Sequence, residues 1–131
     1  VRLVSGKTYE VLQHSEAALV TSGTATLEAA LFNLPQVVCY KSSVFSFTIA
    51  RMLAKVRRIS LVNLIMKKDV VTELIQHLLN AESLNNEFIR ILPGGDKRQQ
   101  ILDDYNSLFK MLGEKGVSDR VAKRMYEFVR K

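Results

Sequence analysis

The sequence has little cysteine and no long apolar run. Cys39 is the single cysteine among 131 residues, so no disulfide can form within the chain. We expect Cys39 to be a small buried hydrophobe in a reducing cytosol and not a nucleophile. Charged residues interrupt every apolar stretch before it reaches the roughly 18 to 20 residues that a membrane-spanning helix needs. These absences argue against a disulfide-built scaffold and predict a chain that does not span a bilayer.

Carboxylates are missing from the middle of the chain. No aspartate or glutamate lies between Glu28 and Asp69. The cations in that interval are Lys41, Arg51, Lys55, Arg57, Arg58, Lys67 and Lys68. The formal net charge of +6 is therefore concentrated there. Such an excess indicates an anionic partner, which is a nucleic acid, a phosphate ligand or an acidic membrane surface.

The length and composition fit one globular domain, with 47% hydrophobic and 24% charged residues. Strand and helix patterns alternate over residues 1–80. We predict strands at residues 2–5, 17–20, 36–40 and 57–61, and helices at residues 7–14, 25–32, 44–55 and 71–80. This alternation indicates a parallel sheet with crossover helices. The predicted fold class is therefore α/β, with an incomplete Rossmann-like parallel sheet.

Residues 81–131 show helix patterns and no strand pattern. We predict helices at residues 83–91, 96–112 and 118–131, the second capped by Asp96 and ended by Gly113. Residues 1–80 thus form a partial Rossmann-like domain, and residues 81–131 a helical C-terminal extension packed on it. The four predicted strands are fewer than the roughly five or six of a complete doubly wound nucleotide-binding domain. The chain also begins at Val1 without a methionine. We expect a piece of a longer protein, with an open sheet edge that favours self-association.

A glycine-containing turn leads from a buried strand into a helix at residues 21–24. Such a turn presents backbone N–H groups and the positive end of the helix dipole, which suits a phosphate or diphosphate. Ser22 and Thr24 add hydroxyl donors around Gly23, and Glu28 stands one helical turn further on, where a carboxylate can accept hydrogen bonds from ribose hydroxyls. The alternative is an ordinary capped helix with Glu28 on a solvated face, because the turn matches neither the Walker A nor the GxGxxG pattern.

Several motifs follow one another in an order and spacing that resemble lipid-A-disaccharide synthases. They are Thr21-Ser22-Gly23-Thr24-Ala25-Thr26-Leu27-Glu28, Leu34-Pro35, Val37-Val38, Tyr40-Lys41, the aromatic segment with Phe45 and Phe47, and Ile59-Ser60-Leu61-Val62-Asn63-Leu64-Ile65. The resemblance is close over residues 1–80 and looser beyond. It implies an inverting glycosyltransferase of family 19 with the double-Rossmann GT-B architecture. In such enzymes the C-terminal domain holds the nucleotide-sugar donor and the N-terminal domain holds the lipid acceptor.

The resemblance also implies a reaction. A 2,3-diacylglucosamine unit passes from its UDP conjugate to 2,3-diacylglucosamine 1-phosphate, which forms a β-1,6 linkage and releases UDP. No metal and no cofactor are implied, since the UDP-linked sugar is a substrate. The catalytic base is expected in the N-terminal domain, so we expect no catalytic residue here and a chain that binds without catalysing.

The resemblance assigns donor-binding residues within this chain. Ser22, Gly23 and Thr24 would contact the diphosphate, and Glu28 the ribose. The cleft near the donor would be lined by Asn63, Glu73 and Gln76. Val62 stands where relatives often have proline, so the backbone before Asn63 is expected to differ.

The basic interval contains an apolar segment that is typical of helices on anionic membranes. Its predicted membrane contacts are Phe45, Phe47, Arg51, Lys55, Arg57 and Arg58. The alternative is that the apolar residues belong to the core and the cations to a solvated face. Because both implied substrates carry acyl chains, we expect a cytoplasmic protein peripherally associated with the inner membrane.

Other arrangements carry less weight. His14 and His77 each follow a glutamate by one helical turn without a third ligand, so no metal site is expected. Asp103 and Asp104 are predicted to be a solvated pair. The rival functions are another UDP-sugar-dependent GT-B transferase or epimerase, a basic nucleic-acid-binding module, and a helical interaction module. No nucleic-acid-binding signature is present, so nucleic acid is not expected as a partner.

Overall fold

The computed structural model describes residues 1–21, 23–41, 58–113 and 116–129. The described helices are α1 (Thr8–His14), α2 (Thr24–Leu31), α3 (Leu61–Met66), α4 (Ala81–Ile89), α5 (Arg98–Leu112) and α6 (Val117–Val129). The described strands are β1 (Ala18–Thr21), β2 (Gln36–Tyr40) and β3 (Thr72–Ile75), and a short 3-10 helix follows β3 at Gln76–Leu78.

The three strands form one parallel sheet in the order β1-β2-β3. Val20 of β1 lies opposite Val38 of β2, and Val38 lies opposite Glu73 of β3. Val37 and Val38 are fully buried, as expected for a central strand covered on both faces. The predicted α/β class, with an incomplete Rossmann-like parallel sheet, is confirmed.

The β1-α2-β2 unit follows local sequence signals closely. Asn33 adopts the left-handed conformation (φ 53°) just after α2. The backbone N–H of Leu34 donates to the carbonyl of Ala29, and that of Asn33 donates to the carbonyl of Ala30. This is the Schellman arrangement, which satisfies the last carbonyls of a helix and stops it. The chain then turns directly into β2, so the start of β2 is fixed by the end of α2.

One main core joins the sheet to the helices that follow residue 80. Its buried side chains come from β2, β3, α3, α5 and the segments next to these elements, and include Val37, Val38, Val62, Val71, Leu74, Ile91, Ile101, Tyr105 and Leu108. The phenol of Tyr105 lies in this core and accepts a hydrogen bond from the Gln36 amide at 3.1 Å. Desolvation by burial raises the pKa of Tyr105 well above its usual value.

Three predicted elements are wrong. Residues 2–5 form no strand and are exposed, because they have no neighbouring strand with which to pair among the described residues. Residues 58 and 59 are irregular, and Ser60 caps helix α3, so the predicted strand at 57–61 does not form. The segment predicted as a helix at 71–80 contains strand β3 and a 3-10 turn. The predicted helix at 44–55 lies outside the described residues.

Two predicted acidic roles are also wrong. Asp96 does not cap a helix, since its carboxylate accepts hydrogen bonds from Arg90 and α5 begins at Arg98. Asp104 is 8% exposed and forms an ion pair with Lys68 at 2.5 Å, so it is not solvated, whereas Asp103 is exposed as predicted. Gly113 ends α5 with φ 80°, which confirms its predicted position.

Candidate functional site at the carboxyl ends of the strands

The turn after β1 opens helix α2. Gly23 has φ 110° and ψ −158°, a conformation that residues with a side chain rarely adopt. No described side chain caps α2, and Gly23, Thr24 and Ala25 are exposed. The first backbone N–H groups of the helix and the positive end of its dipole therefore remain available to a ligand. Such a helix end suits a phosphate group.

Thr26 connects the first turn of α2 to the segment before α3. It is fully buried, and its hydroxyl donates to the Gly23 carbonyl at 2.8 Å. The same hydroxyl oxygen accepts a hydrogen bond from the backbone N–H of Leu61 at 3.2 Å. Gly23 also pairs with Ser60 in an isolated parallel bridge. The segment formed by residues 59–61, which we call the support segment, thus lies directly beside the turn.

Glu73 of β3 holds the support segment through both carboxylate oxygens. Its Oε2 accepts the backbone N–H of Ile59 at 2.9 Å. Its Oε1 accepts the backbone N–H of Ser60 at 3.0 Å, the Ser60 hydroxyl at 2.7 Å and the amide of Asn63 at 2.8 Å. Four donors from the protein therefore surround one carboxylate.

Asn63 uses its whole amide inside the protein. It is 1% exposed, and its Oδ1 accepts the backbone N–H groups of Val70 and Val71 at 2.8 and 3.0 Å. Its Nδ2 donates to the Val71 carbonyl at 2.9 Å as well as to Glu73. All four hydrogen-bonding positions of the side chain are occupied. Asn63 therefore fixes α3 against the residues that lead into β3.

A cavity of about 500 Å³ lies between β3 and α5. Asn63 and Glu73 line it together with Thr72, Lys97 and Asp104. Within the described part of the chain, the turn residues Gly23, Thr24 and Glu28 do not contribute to its lining. Of the predicted site residues, Gly23, Thr24 and Glu28 therefore lie at the turn, whereas Asn63 and Glu73 lie at the cavity. The support segment joins the two groups.

The remaining predicted residues occupy different settings. Glu28 is half-buried on α2, four residues after Thr24, with no hydrogen-bond or ion-pair partner among the described residues. Gln76 directly follows β3 with a left-handed backbone (φ 54°), at the same edge of the sheet as the turn. Ser22, Phe45, Phe47, Arg51, Lys55 and Arg57 lie outside the described residues. Arg58 forms an ion pair with Asp69 at 2.6 Å.

Ser60 and Thr26 are the residues that our interpretation of the sequence did not include. Ser60 is fully buried, and its hydroxyl accepts the backbone N–H of Asn63 at 3.3 Å, which makes it the N-cap of α3. A serine just before the apolar residues 61 and 62 is an N-cap signal that was available from the sequence. Thr26 carried no such signal, because its partner Leu61 is 35 residues away.

Three further observations bear on the class of site. In the described ranges, no three histidine, cysteine, aspartate or glutamate side chains are placed to hold a metal ion. No helix of the described chain is long and apolar enough to cross a membrane. Burial raises the pKa of the Cys39 thiol, which favours its protonated form.

A parallel sheet with a strand, glycine turn and helix at its carboxyl edge defines the chain as an incomplete Rossmann-like α/β domain. Comparison with known proteins makes this more specific. The profile of the family described as lipid-A-disaccharide synthetase matches residues 1–128. The chain therefore belongs to the lipid-A-disaccharide synthetase family.

Individual relatives agree with this assignment. The chain is 41% identical over 131 residues to the lipid-A-disaccharide synthase of Syntrophus aciditrophicus, covering 100% of this chain and 34% of the relative. It is 41% identical over 130 residues to that of Anaeromyxobacter dehalogenans strain 2CP-C, covering 99% of this chain and 34% of the relative. It is 34% identical over 131 residues to that of a Synechocystis species, covering 98% and 33%. The chain thus spans about a third of the length of these curated relatives.

Proposed function

We propose that this chain carries the donor-binding part of a lipid-A-disaccharide synthase, a glycosyltransferase. In the proposed reaction, 2,3-diacylglucosamine passes from its UDP conjugate to 2,3-diacylglucosamine 1-phosphate and UDP is released. The observation that carries the proposal is the turn at Gly23, where an uncapped, exposed helix end follows the parallel strand β1. Of the residues of β1, Val20 alone is buried, so this strand is not covered on both faces as its apolar sequence predicts. Membership of the lipid-A-disaccharide synthetase family supports a nucleotide sugar as the donor, and the proposal takes its nucleotide to be UDP.

The proposal gives each residue of the turn a chemical task. The backbone N–H groups at Gly23 and Thr24, with the hydroxyls of Ser22 and Thr24, bind the diphosphate. Glu28 lies four residues beyond Thr24 and therefore on the same face of α2. Its carboxylate, which has no partner in the described part of the chain, accepts hydrogen bonds from the ribose hydroxyls. Asn63, Glu73 and Gln76 border the cleft near the donor, and the bound sugar needs no metal or cofactor from this part of the protein.

UDP binding to the chain tests this proposal. Calorimetry should give a Kd in the millimolar range or tighter, with UMP and ADP binding more weakly than UDP. Replacement of Glu28 by alanine should cost about 1 to 3 kcal/mol of binding free energy, because a hydrogen-bonded charged group is removed. The matched control is Glu82→Ala, which removes an exposed carboxylate from α4 and should leave UDP affinity unchanged. A folded chain that fails to bind UDP, or that binds it equally well without Glu28, would contradict the proposal.

We also propose that the basic interval contacts an anionic membrane surface on the cytoplasmic side of the inner membrane. The support comes from sequence, since Phe45, Phe47, Arg51 and Lys55 fall in the interval without carboxylates. The acylated substrates named above make such contact useful. Nucleic acid is not part of the proposal.

Vesicle sedimentation tests the membrane contact. The chain should sediment with phosphatidylglycerol vesicles and not with phosphatidylcholine vesicles. Since each cation near an anionic surface contributes about 1 kcal/mol, the double variant Arg51→Ala with Lys55→Ala should lower the affinity at least about tenfold. The double variant Lys123→Ala with Arg124→Ala removes the same charge from exposed positions of α6 and serves as the control. Equal losses from both double variants would mean that net charge alone, and not this segment, drives binding.

A further inference from the structure

We propose that Glu73 is a positioning residue that keeps the diphosphate-binding turn in its binding conformation by acting through Ser60, and not by touching the donor. This inference rests on the proposed function, because it concerns how the same turn is prepared for its ligand. The Glu73 carboxylate lies on β3, whereas the turn follows β1, and β2 separates these two strands in the described sheet.

The first step is the connection between Glu73 and Ser60. Three of the four hydrogen bonds to the Glu73 carboxylate come from the support segment: two from Ser60 and one from the backbone N–H of Ile59. The fourth comes from Asn63 in the first turn of α3. With both oxygens occupied by protein donors, the geometry directs this carboxylate at the support segment.

The second step is the connection between the support segment and the turn. Ser60 pairs with Gly23, and Leu61 donates its backbone N–H to Thr26. Thr26 in turn donates its hydroxyl to the Gly23 carbonyl. Glycine loses more backbone freedom on ordering than any other residue, so contacts are needed to hold Gly23 in one conformation. The Ser60 bridge and the Thr26 bond supply that constraint, and Glu73 holds the segment that makes them.

The third step is what the removal of the charge would do. In Glu73→Gln, one carboxylate oxygen becomes an NH₂ group of nearly the same size. In the unmodified protein both carboxylate oxygens accept N–H groups. The NH₂ group of the variant must therefore face a donor, either Ile59 in one orientation of the amide or Ser60 and Asn63 in the other. The support segment should loosen, and with it the turn, although Glu73 lies on a different strand from the one that the turn follows.

The experiment measures ligand-free order and UDP affinity in the same variants. In Glu73→Gln, hydrogen exchange of the backbone amides of Thr26 and Leu61, which are hydrogen-bonded to Gly23 and to Thr26, should become faster, and UDP affinity should fall about three- to thirtyfold. Glu87→Gln is the matched control, because Glu87 also accepts three hydrogen bonds but none of them from the support segment. It should leave amide exchange at the turn and UDP affinity unchanged within about twofold. Circular dichroism checks that each variant is folded.

A double-mutant cycle separates positioning from direct contact. Ser60→Ala removes the hydroxyl between Glu73 and α3 while keeping the bridge to Gly23. If Glu73 acts through Ser60, the double variant should lose about as much affinity for UDP as the single variant with the larger loss. Additive losses, or unchanged exchange at Thr26 and Leu61 in Glu73→Gln, would overturn the inference. If the unmodified chain does not bind UDP, the proposed function fails, while the exchange measurement still decides whether Glu73 orders the turn.

Discussion

At the scale of the residue, Glu87 shows how one carboxylate joins three elements. It lies on α4, and its Oε2 accepts the hydroxyl of Thr72 on β3 at 2.7 Å and the ammonium of Lys97 at 2.6 Å. Its Oε1 accepts Arg90 at 3.1 Å. Desolvation by burial raises the pKa of Glu87, but the hydrogen bonds from Lys97, Thr72 and Arg90 and the charge of Lys97 outweigh it, so the pKa is lowered overall.

This lowered pKa predicts a dependence of stability on acid. A carboxylate whose folded pKa lies below its unfolded value stabilises the fold above the unfolded pKa, and the contribution is lost as pH falls through the folded pKa. The loss of unfolding free energy in Glu87→Gln should therefore be on the order of 1 kcal/mol at pH 7 and shrink as the pH falls from about 5 to about 3. Urea unfolding at several pH values measures it, with the exposed Glu82→Gln as control. A difference that stays constant down to pH 3 would show that charge on Glu87 plays no part.

At the scale of the element, the sequence predicts those segments whose signals are local. The Asn33 to Pro35 stop, the apolar run of β2 and the glycine at the end of α5 are all read from neighbouring residues, and the structure confirms them. Strand β3 was predicted as a helix because four residues, Thr72–Ile75, are too few for periodicity to distinguish the two. Its pairing with β2 decides the conformation, and that pairing is a contact between distant parts of the chain.

The same distinction applies to the candidate site. The turn at Gly23 with Glu28 one helical turn later is a local pattern, and the sequence indicated it directly. The hydrogen bonds from the support segment to Glu73 span 13 and 14 residues and exist only once β3 lies beside β2. The predicted helix at 71–80 would have placed Glu73 elsewhere. Its role in ordering the turn could therefore be inferred only from the folded chain.

At the scale of the whole molecule, residues before and after position 80 share one core. Buried side chains of β2 and β3 pack in the same cluster as Ile101, Tyr105 and Leu108 of α5. The side-chain amide of Gln36 joins the two parts, since it donates both to the Thr26 carbonyl at 2.8 Å and to the Tyr105 phenol. Because α5 packs on the sheet that carries the site, we expect β2, β3 and α5 to unfold as one cooperative unit.

Leu108→Ala tests this unity. Leu108 is 1% exposed, and its replacement by alanine should lower the free energy of unfolding by about 2 to 5 kcal/mol, because apolar burial is lost and a cavity remains. Met111→Ala, at a position of the same helix that is 61% exposed, should change it by no more than about 0.5 kcal/mol. Within each of the three proteins, the amide signals of β2 and those of α5 should disappear at one common urea concentration. That concentration should be lower in Leu108→Ala than in the wild-type chain. If the signals of β2 persist to higher urea concentrations than those of α5, the sheet is stable without the helices after residue 80. The turn at Gly23 would then keep its geometry in the absence of these helices.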